Sequence, residues 1–161
     1  MQLIRLIGLI LLFSIIVGCT LFPAQKESVE NSKVLLEIER SGCNGNCPVF
    51  SLKVLFDGST IYIGEKFTSL VGVREFQLTS DQIAWIRSAF TRKGFIFLND
   101  QCCGCVELKN KSSTRIVYQG NGPYKSITRY HGCLNQLSHN LKQLESEVLG
   151  ITGVDRWIDD Q

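Results

Sequence analysis

The chain reads as an α+β domain: an antiparallel sheet with two helices packed on it, stapled by disulfides. Three observations carry that reading. Short segments alternate apolar and polar residues at the period of a strand, as in Phe50, Leu52, Val54 and Phe56. Two other segments space apolar residues three and four apart, first Ile83, Ile86 and Phe90, then Leu134, Leu137, Leu141, Leu144 and Val148. Cys is abundant, at 7 of 161 residues, and six of the seven fall in the loops between these segments. The order is strands, helix, strands, helix, which suits helices laid on an antiparallel sheet.

The first strand is expected at Val34–Glu39, with Leu36 and Ile38 entering the core and Glu37 and Glu39 on a solvent face. The loop "CNGNCPVFS", Cys43 to Ser51, leads into an alternating strand at Val49–Phe56. Asp57-Gly58 is a favoured tight-turn dipeptide, because glycine accepts positive φ. A two-residue turn there sets Phe56 opposite Ser59, Val54 opposite Ile61 and Leu52 opposite Ile63, all on one face. A further strand is expected at Val73–Leu78. Thr79 and Gln82 are spaced as a capping box for the first helix, which Gly94 closes after Arg92 and Lys93. "FIFL", Phe95–Leu98, is either a buried strand or a packing loop. Val106–Lys109, Ser113–Tyr118 and Tyr124–Tyr130 read as strands, the last two joined around Gly120–Pro123. The leucine stripe of the second helix packs on the sheet, and Trp157 docks back on the domain.

Ahead of the domain lies an address. Met1–Arg5 is positive, and Leu6–Val17 is almost wholly apolar. That run falls well short of the ~20 residues a membrane-spanning helix needs, and it matches a secretory signal. Its end, Ile16-Val17-Gly18-Cys19, resembles the bacterial lipobox. The resemblance implies cleavage between Gly18 and Cys19, a diacylglyceryl group on the Cys19 thiol, and a fatty acid such as palmitate on the new N-terminus. Several acyl chains, at ~0.8 kcal/mol per buried methylene, make a stable anchor. Thr20 stands where a retention-type Asp would sit, so a source with two membranes would carry the protein on its outer membrane, facing the periplasm. The expected organisation is a signal peptide at 1–18, a lipidated Cys and polar tether at 19–33, and a single domain at 34–161. The tether has too little apolar surface to order itself, and at ~3.3 Å per residue it reaches about 45 Å.

Charge is nearly balanced, 17 basic against 15 acidic residues for a net +2, and no aromatic-basic stripe appears. Nucleic acid is therefore excluded as a partner. The expected partners are the membrane, through lipid on Cys19, and an envelope protein or small ligand.

With Cys19 lipidated, Cys43, Cys47, Cys102, Cys103, Cys105 and Cys133 remain. An even number in an exported chain is read first as disulfides, and spacing alone does not fix their pairing. Cys43 and Cys47 are close enough in sequence to clamp the entrance of the next strand, where Pro48 already lacks a donor. Cys133 is placed to reach one member of the Cys102–Cys105 cluster. The alternative is a metal site in which Cys102, Cys103, Cys105, His131 and Cys133 hold Zn²⁺ or Cu⁺, although "CCGC" lacks the spacing of a zinc knuckle. A thiol-redox role would want C-x-x-C at a helix start, and here C-x-x-x-C precedes a strand. An envelope enzyme is the remaining alternative. His131 and His139 are the only histidines, Ser138 is merely adjacent to His139, and Asp159 and Asp160 belong to a solvated C-terminus. No nucleophile–base pattern or phosphate loop is present, so no catalytic residue and no cofactor are expected.

The segment "CNGNCPVFSLKVLFDGSTIYIG" resembles the signature of a bacterial family known as domain of unknown function 6438. That signature is C-x-G-x-C-P, an aromatic and a Ser, an alternating strand, D-G, and a strand with Tyr and Gly. Cys43, Gly45, Cys47, Pro48, Phe50, Ser51, Asp57, Gly58, Tyr62 and Gly64 match it. The resemblance runs from about Val34 to Leu149 and departs from the pattern at the three cysteines of Cys102–Cys105. It implies a shared fold and frequent export, and it brings no established activity. The resulting expectation is a lipid-anchored envelope protein with a non-catalytic binding or structural domain.

Overall fold

Six strands pair antiparallel in one sheet of order β4-β3-β2-β1-β5-β6. They are β1 (Val34–Arg40), β2 (Val49–Leu55), β3 (Ser59–Lys66), β4 (Gly72–Gln77), β5 (Ser113–Tyr118) and β6 (Lys125–Tyr130). Helix α1 (Ser80–Arg92) follows β4, and α2 (Gln136–Thr152) follows β6. The structure is a computed structural model that describes residues 34–99, 110–120 and 122–158. The signal, Cys19, the tether, Cys102–Cys105, the strand expected at 106–109 and the acidic pair Asp159 and Asp160 lie outside the described residues.

The predicted fold class holds, and the strand phases explain it. Leu36 and Ile38 of β1, Leu52 and Val54 of β2, Ile116 of β5 and Ile127 of β6 join one core with Ile86, Phe90, Leu141, Leu144 and Val148 of the helices. The other face of the sheet carries Glu37 and Glu39, which pair with Lys53 at 3.4 Å and Arg115 at 3.3 Å. One face is dry and the other wet, as the alternation requires.

The β2–β3 hairpin departs from expectation by one residue. Val54 lies opposite Thr60 and Leu52 opposite Tyr62, where the two-residue turn had placed Ile61 and Ile63. Three residues, Phe56, Asp57 and Gly58, separate the strands, and Gly58 ends the turn at φ +89°. Its N–H donates to the Leu55 carbonyl at 3.0 Å, while the Ser59 N–H donates to Asp57 Oδ1 at 2.9 Å. A one-residue slip exchanges the faces of the whole strand. Tyr62 and Thr60 therefore enter the core, and Ile63 is left 37% exposed. Both inward polar groups find acceptors: the Tyr62 hydroxyl donates to the Leu70 carbonyl and the Thr60 hydroxyl to the Gly58 carbonyl. The larger aromatic side chain gains burial without stranding its hydroxyl.

Helix α1 starts as expected. Thr79 Oγ1 accepts from the Gln82 N–H at 3.2 Å, and Gln82 Oε1 accepts from the Thr79 N–H at 2.9 Å. Gln82 Nε2 also donates to the Ile151 carbonyl at 2.7 Å, fixing the start of α1 to the end of α2. Phe95–Phe97 is neither strand nor loop but a 3₁₀ turn entered through Gly94 at φ +58°. It buries Phe95 completely and leaves Phe97 85% exposed. Helix α2 begins later than its leucine stripe implied. Asn135 caps it by accepting from the Ser138 N–H at 2.8 Å, so Leu134 precedes the helix and is 96% exposed. Trp157 does dock back, its ring 5.1 Å from Tyr62 and 5.5 Å from Phe76.

Gly64 of β3 sits where no side chain fits. A Cβ there would lie 2.0 Å from the Leu70 carbonyl oxygen and 2.8 Å from the Tyr62 hydroxyl. Because the first obstacle is backbone, the Thr68–Leu70 loop must move to admit it. Gly64→Ala is expected to destabilise the domain by about 1–3 kcal/mol, read as a lower urea midpoint at unchanged slope.

Candidate functional site

Three strand positions that sequence periodicity points inward are polar. Arg40 ends the β1 run of Leu36 and Ile38, Thr114 precedes Ile116 in β5, and Arg129 follows Ile127 in β6. They stand in one row across the sheet, Arg40 opposite Thr114 and Thr114 opposite Arg129. Helix α2 brings Glu145 onto this row from the face that also carries Leu141, Leu144 and Val148. All four are buried, with Glu145 only 1% exposed.

Glu145 Oε1 accepts from Arg40 Nη2 at 2.7 Å, from Arg40 Nε at 3.1 Å and from the Thr114 hydroxyl at 3.1 Å. Oε2 accepts from Arg129 Nη2 at 2.6 Å. Arg40 is held from behind by the Phe50 ring, 5.1 Å from its guanidinium carbon. Burial alone would raise the Glu145 pKa, but the charges of Arg40 and Arg129 and their hydrogen bonds outweigh it, and the carboxyl is held below its ordinary 4.5. His131, just past β6, places Nε2 at 3.0 Å from Arg129 Nη2 and 2.8 Å from the Thr114 hydroxyl. One donor is left over: buried Arg129 Nε has no acceptor among the described residues.

Above the row opens a cleft of about 520 Å³ whose lining includes Arg40, Arg129, His131, Ser138, Lys142 and Glu145. Its only carboxylate among the described residues is engaged at both oxygens, which makes Glu145 a fixed anion and a poor general base.

The residues predicted from sequence are placed as follows. Cys43 and Cys47 form a disulfide with Cα atoms 5.7 Å apart, at the entrance to β2. Cys133 is also in a disulfide, with its partner outside the described residues. A sulfur so bonded is not available as a thiolate ligand. Among the described residues, no group of three or more His, Cys, Asp and Glu is placed to hold a metal ion. His139 is on the exposed side of α2, with Nε2 at 3.0 Å from Gln143 Nε2, and no hydrogen bond links it to Ser138 among the described residues. Also among these residues, no helix is long and apolar enough to cross a membrane.

Arg40, Thr114, Arg129 and Glu145 were not singled out by sequence reasoning. A signal existed: the alternation of β1 carries Arg40 in phase with Leu36 and Ile38, and a charge in a core phase calls for a buried partner.

Fold and site together define a small α+β domain with one covered sheet face and a polar, cation-rich cleft at one end of that sheet. The chain belongs to the family described as a domain of unknown function (DUF6438), whose model matches residues 34–152. A search of the curated proteins found no match.

Proposed function

We propose that the chain is a membrane-anchored bacterial envelope lipoprotein whose domain binds a partner or small ligand and performs no catalysis. The lipobox-like Ile16-Val17-Gly18-Cys19 carries the reading, with Cys19 as the lipidated residue and Gly18–Cys19 as the cleavage site. The Cys43–Cys47 disulfide supports it, because such bonds persist in the oxidising envelope. The cleft supports binding over chemistry, since its carboxylate is held by two guanidiniums. With Thr20 after the lipidated residue, a two-membrane source would place the domain in the periplasm on the outer membrane.

Cys19→Ser is expected to abolish labelling by a radioactive fatty acid and to release the protein from the membrane anchor that acylation provides. A variant that stays unlabelled and uncleaved yet fully membrane-bound would overturn the anchor.

A further inference from the structure

We infer that the tip of the β3–β4 hairpin, carrying Ile63, Phe67, Val71 and Val73, is a face that docks on the surface of a lipid bilayer. The inference rests on the membrane anchor proposed above and adds the face that the anchored domain turns to the membrane.

The first observation is where exposed apolar side chains collect. Nine large apolar residues are exposed among the described residues, and four of them fall on this one hairpin. Ile63 and Val73 stand opposite one another in the β3–β4 ladder, 37% and 53% exposed. Phe67 and Val71 begin and end the loop that joins the two strands, 51% and 62% exposed. Single exposed apolar residues need no explanation, whereas a group of neighbours marks an interaction surface.

The second observation is that the loop is fixed in place. Phe67 takes φ +53° and is the one non-glycine residue with positive φ among the described residues. A bulky residue is strained there, and a half-exposed ring recovers little of that cost inside the domain. The loop is not slack, because Leu70 packs against the core. The Leu70 N–H donates to the Trp157 carbonyl at 3.3 Å. Its carbonyl accepts from the Tyr62 hydroxyl at 3.3 Å and from the Thr68 hydroxyl at 3.1 Å. Backbone held in this way presents Phe67 and Val71 before any partner arrives, which lowers the cost of binding.

Size and charge point to a bilayer as the occupant. Four partly exposed side chains fall short of the ~800 Å² that a stable protein interface buries on each partner. A bilayer asks for less area, since the anchor on Cys19 holds the domain beside it at about millimolar effective concentration. At ~3.3 Å per residue the tether reaches about 45 Å, while the seven residues of β1 span about 23 Å, so a hairpin at either end of the sheet comes within range. Around the patch, Lys66 and Arg74 are balanced by Glu65 and Glu75. Contact is therefore made by the apolar groups, and zwitterionic lipid suffices. Lys66, next to Phe67, has a stem that lies along apolar surface while its ammonium stays among the headgroups.

The test places the full lipidated chain in phosphatidylcholine vesicles with and without bromine on the acyl chains, which quenches indole emission on contact. The wild type, whose tryptophans are Trp85 and Trp157, sets the baseline. Phe67→Trp is expected to add emission that the bromolipid extinguishes. Ala84→Trp, at an exposed position of α1, is expected to add emission that survives. Adding Val73→Asp to Phe67→Trp is expected to restore most of the lost emission, and raised salt to leave the quenching unchanged. All three sites are exposed, so the core is left alone. Equal quenching of indoles placed at 67 and 84, quenching abolished by salt, or quenching indifferent to Val73→Asp would overturn the docking face. So would a dimer that depends on Phe67 and shows no bromolipid quenching, which would give the face to a second copy. Fatty-acid labelling at Cys19 is scored on the same samples. A labelled protein without added quenching loses only the docking face, and an unlabelled one loses the anchor on which it rests.

Discussion

Glu145→Ala is expected to cost about 3–5 kcal/mol of stability, enough to unfold much of the population of a marginal domain. The loss of a salt bridge at the surface would be near zero. Here the side chain is 1% exposed, and its removal takes the buried carboxylate away from both Arg40 and Arg129. Equilibrium urea unfolding checks this through the midpoint. Glu145→Gln keeps the volume and one acceptor oxygen and is expected to fall between the wild type and the alanine variant. A cost below about 1 kcal/mol for the alanine change would place the cluster in solvent, contrary to its burial.

The same residue sets a pH dependence. Its folded-state pKa lies below the ordinary 4.5, so the unfolded chain takes up the proton first as pH falls. The stabilisation from Glu145 is therefore complete above about 4.5 and is lost as pH drops through the lower folded value. Unfolding midpoints measured down the acid range should decline for the wild type and decline less steeply for Glu145→Gln.

Phe90→Ala is expected to cost a similar amount, about 3–5 kcal/mol, by a different mechanism. Phe90 of α1 is 1% exposed and stacks on Tyr118 of β5 with ring centres 3.9 Å apart. It meets Phe95 edge-on at 5.0 Å. Truncation opens a cavity where helix, sheet and 3₁₀ turn join, and the rigid rings around it cannot collapse to fill it. Phe90→Leu, closer in volume, should recover most of the loss. Calorimetric transition temperatures rank the three proteins, and an alanine variant equal to the leucine variant would contradict the packing argument.

Local patterns made most of the fold legible before any coordinates. The capping box at Thr79 and Gln82 states a helix start in four residues, and both of its hydrogen bonds form. Periodicity fails where two phases are nearly equal in hydrophobicity. In β3, Thr60 and Tyr62 compete with Ile61 and Ile63, and counting apolar atoms favours the isoleucines. The turn decides otherwise, because Gly58 takes the left-handed conformation at the end of a three-residue loop. Leu134 misled for a related reason. Its spacing fits the α2 stripe, but Asn135 offers a cap one residue later, and a capped first turn excludes what precedes it.

The candidate site was less legible because its members lie far apart in the chain. Arg40 and Glu145 are 105 positions apart, and each resembles a surface charge when seen among its neighbours. Only topology, which lays β5 between β1 and β6, sets the row in order. The disulfide candidates drew attention instead, since cysteine is conspicuous by type while a buried arginine is conspicuous only by place.

The location of the disulfides gives the domain two ends of different character. Cys43–Cys47 closes the loop between β1 and β2, and Cys133 is bonded just beyond β6. Asn44 of the first loop also donates to Asn110, ahead of β5, at 3.0 Å. All of this lies at the end of the sheet that bears the cleft. The other end, around the Asp57-Gly58 turn, carries no disulfide among the described residues. A reductant would therefore act as a selective lubricant, loosening the mouth of the cleft while the hairpin and its core stay set.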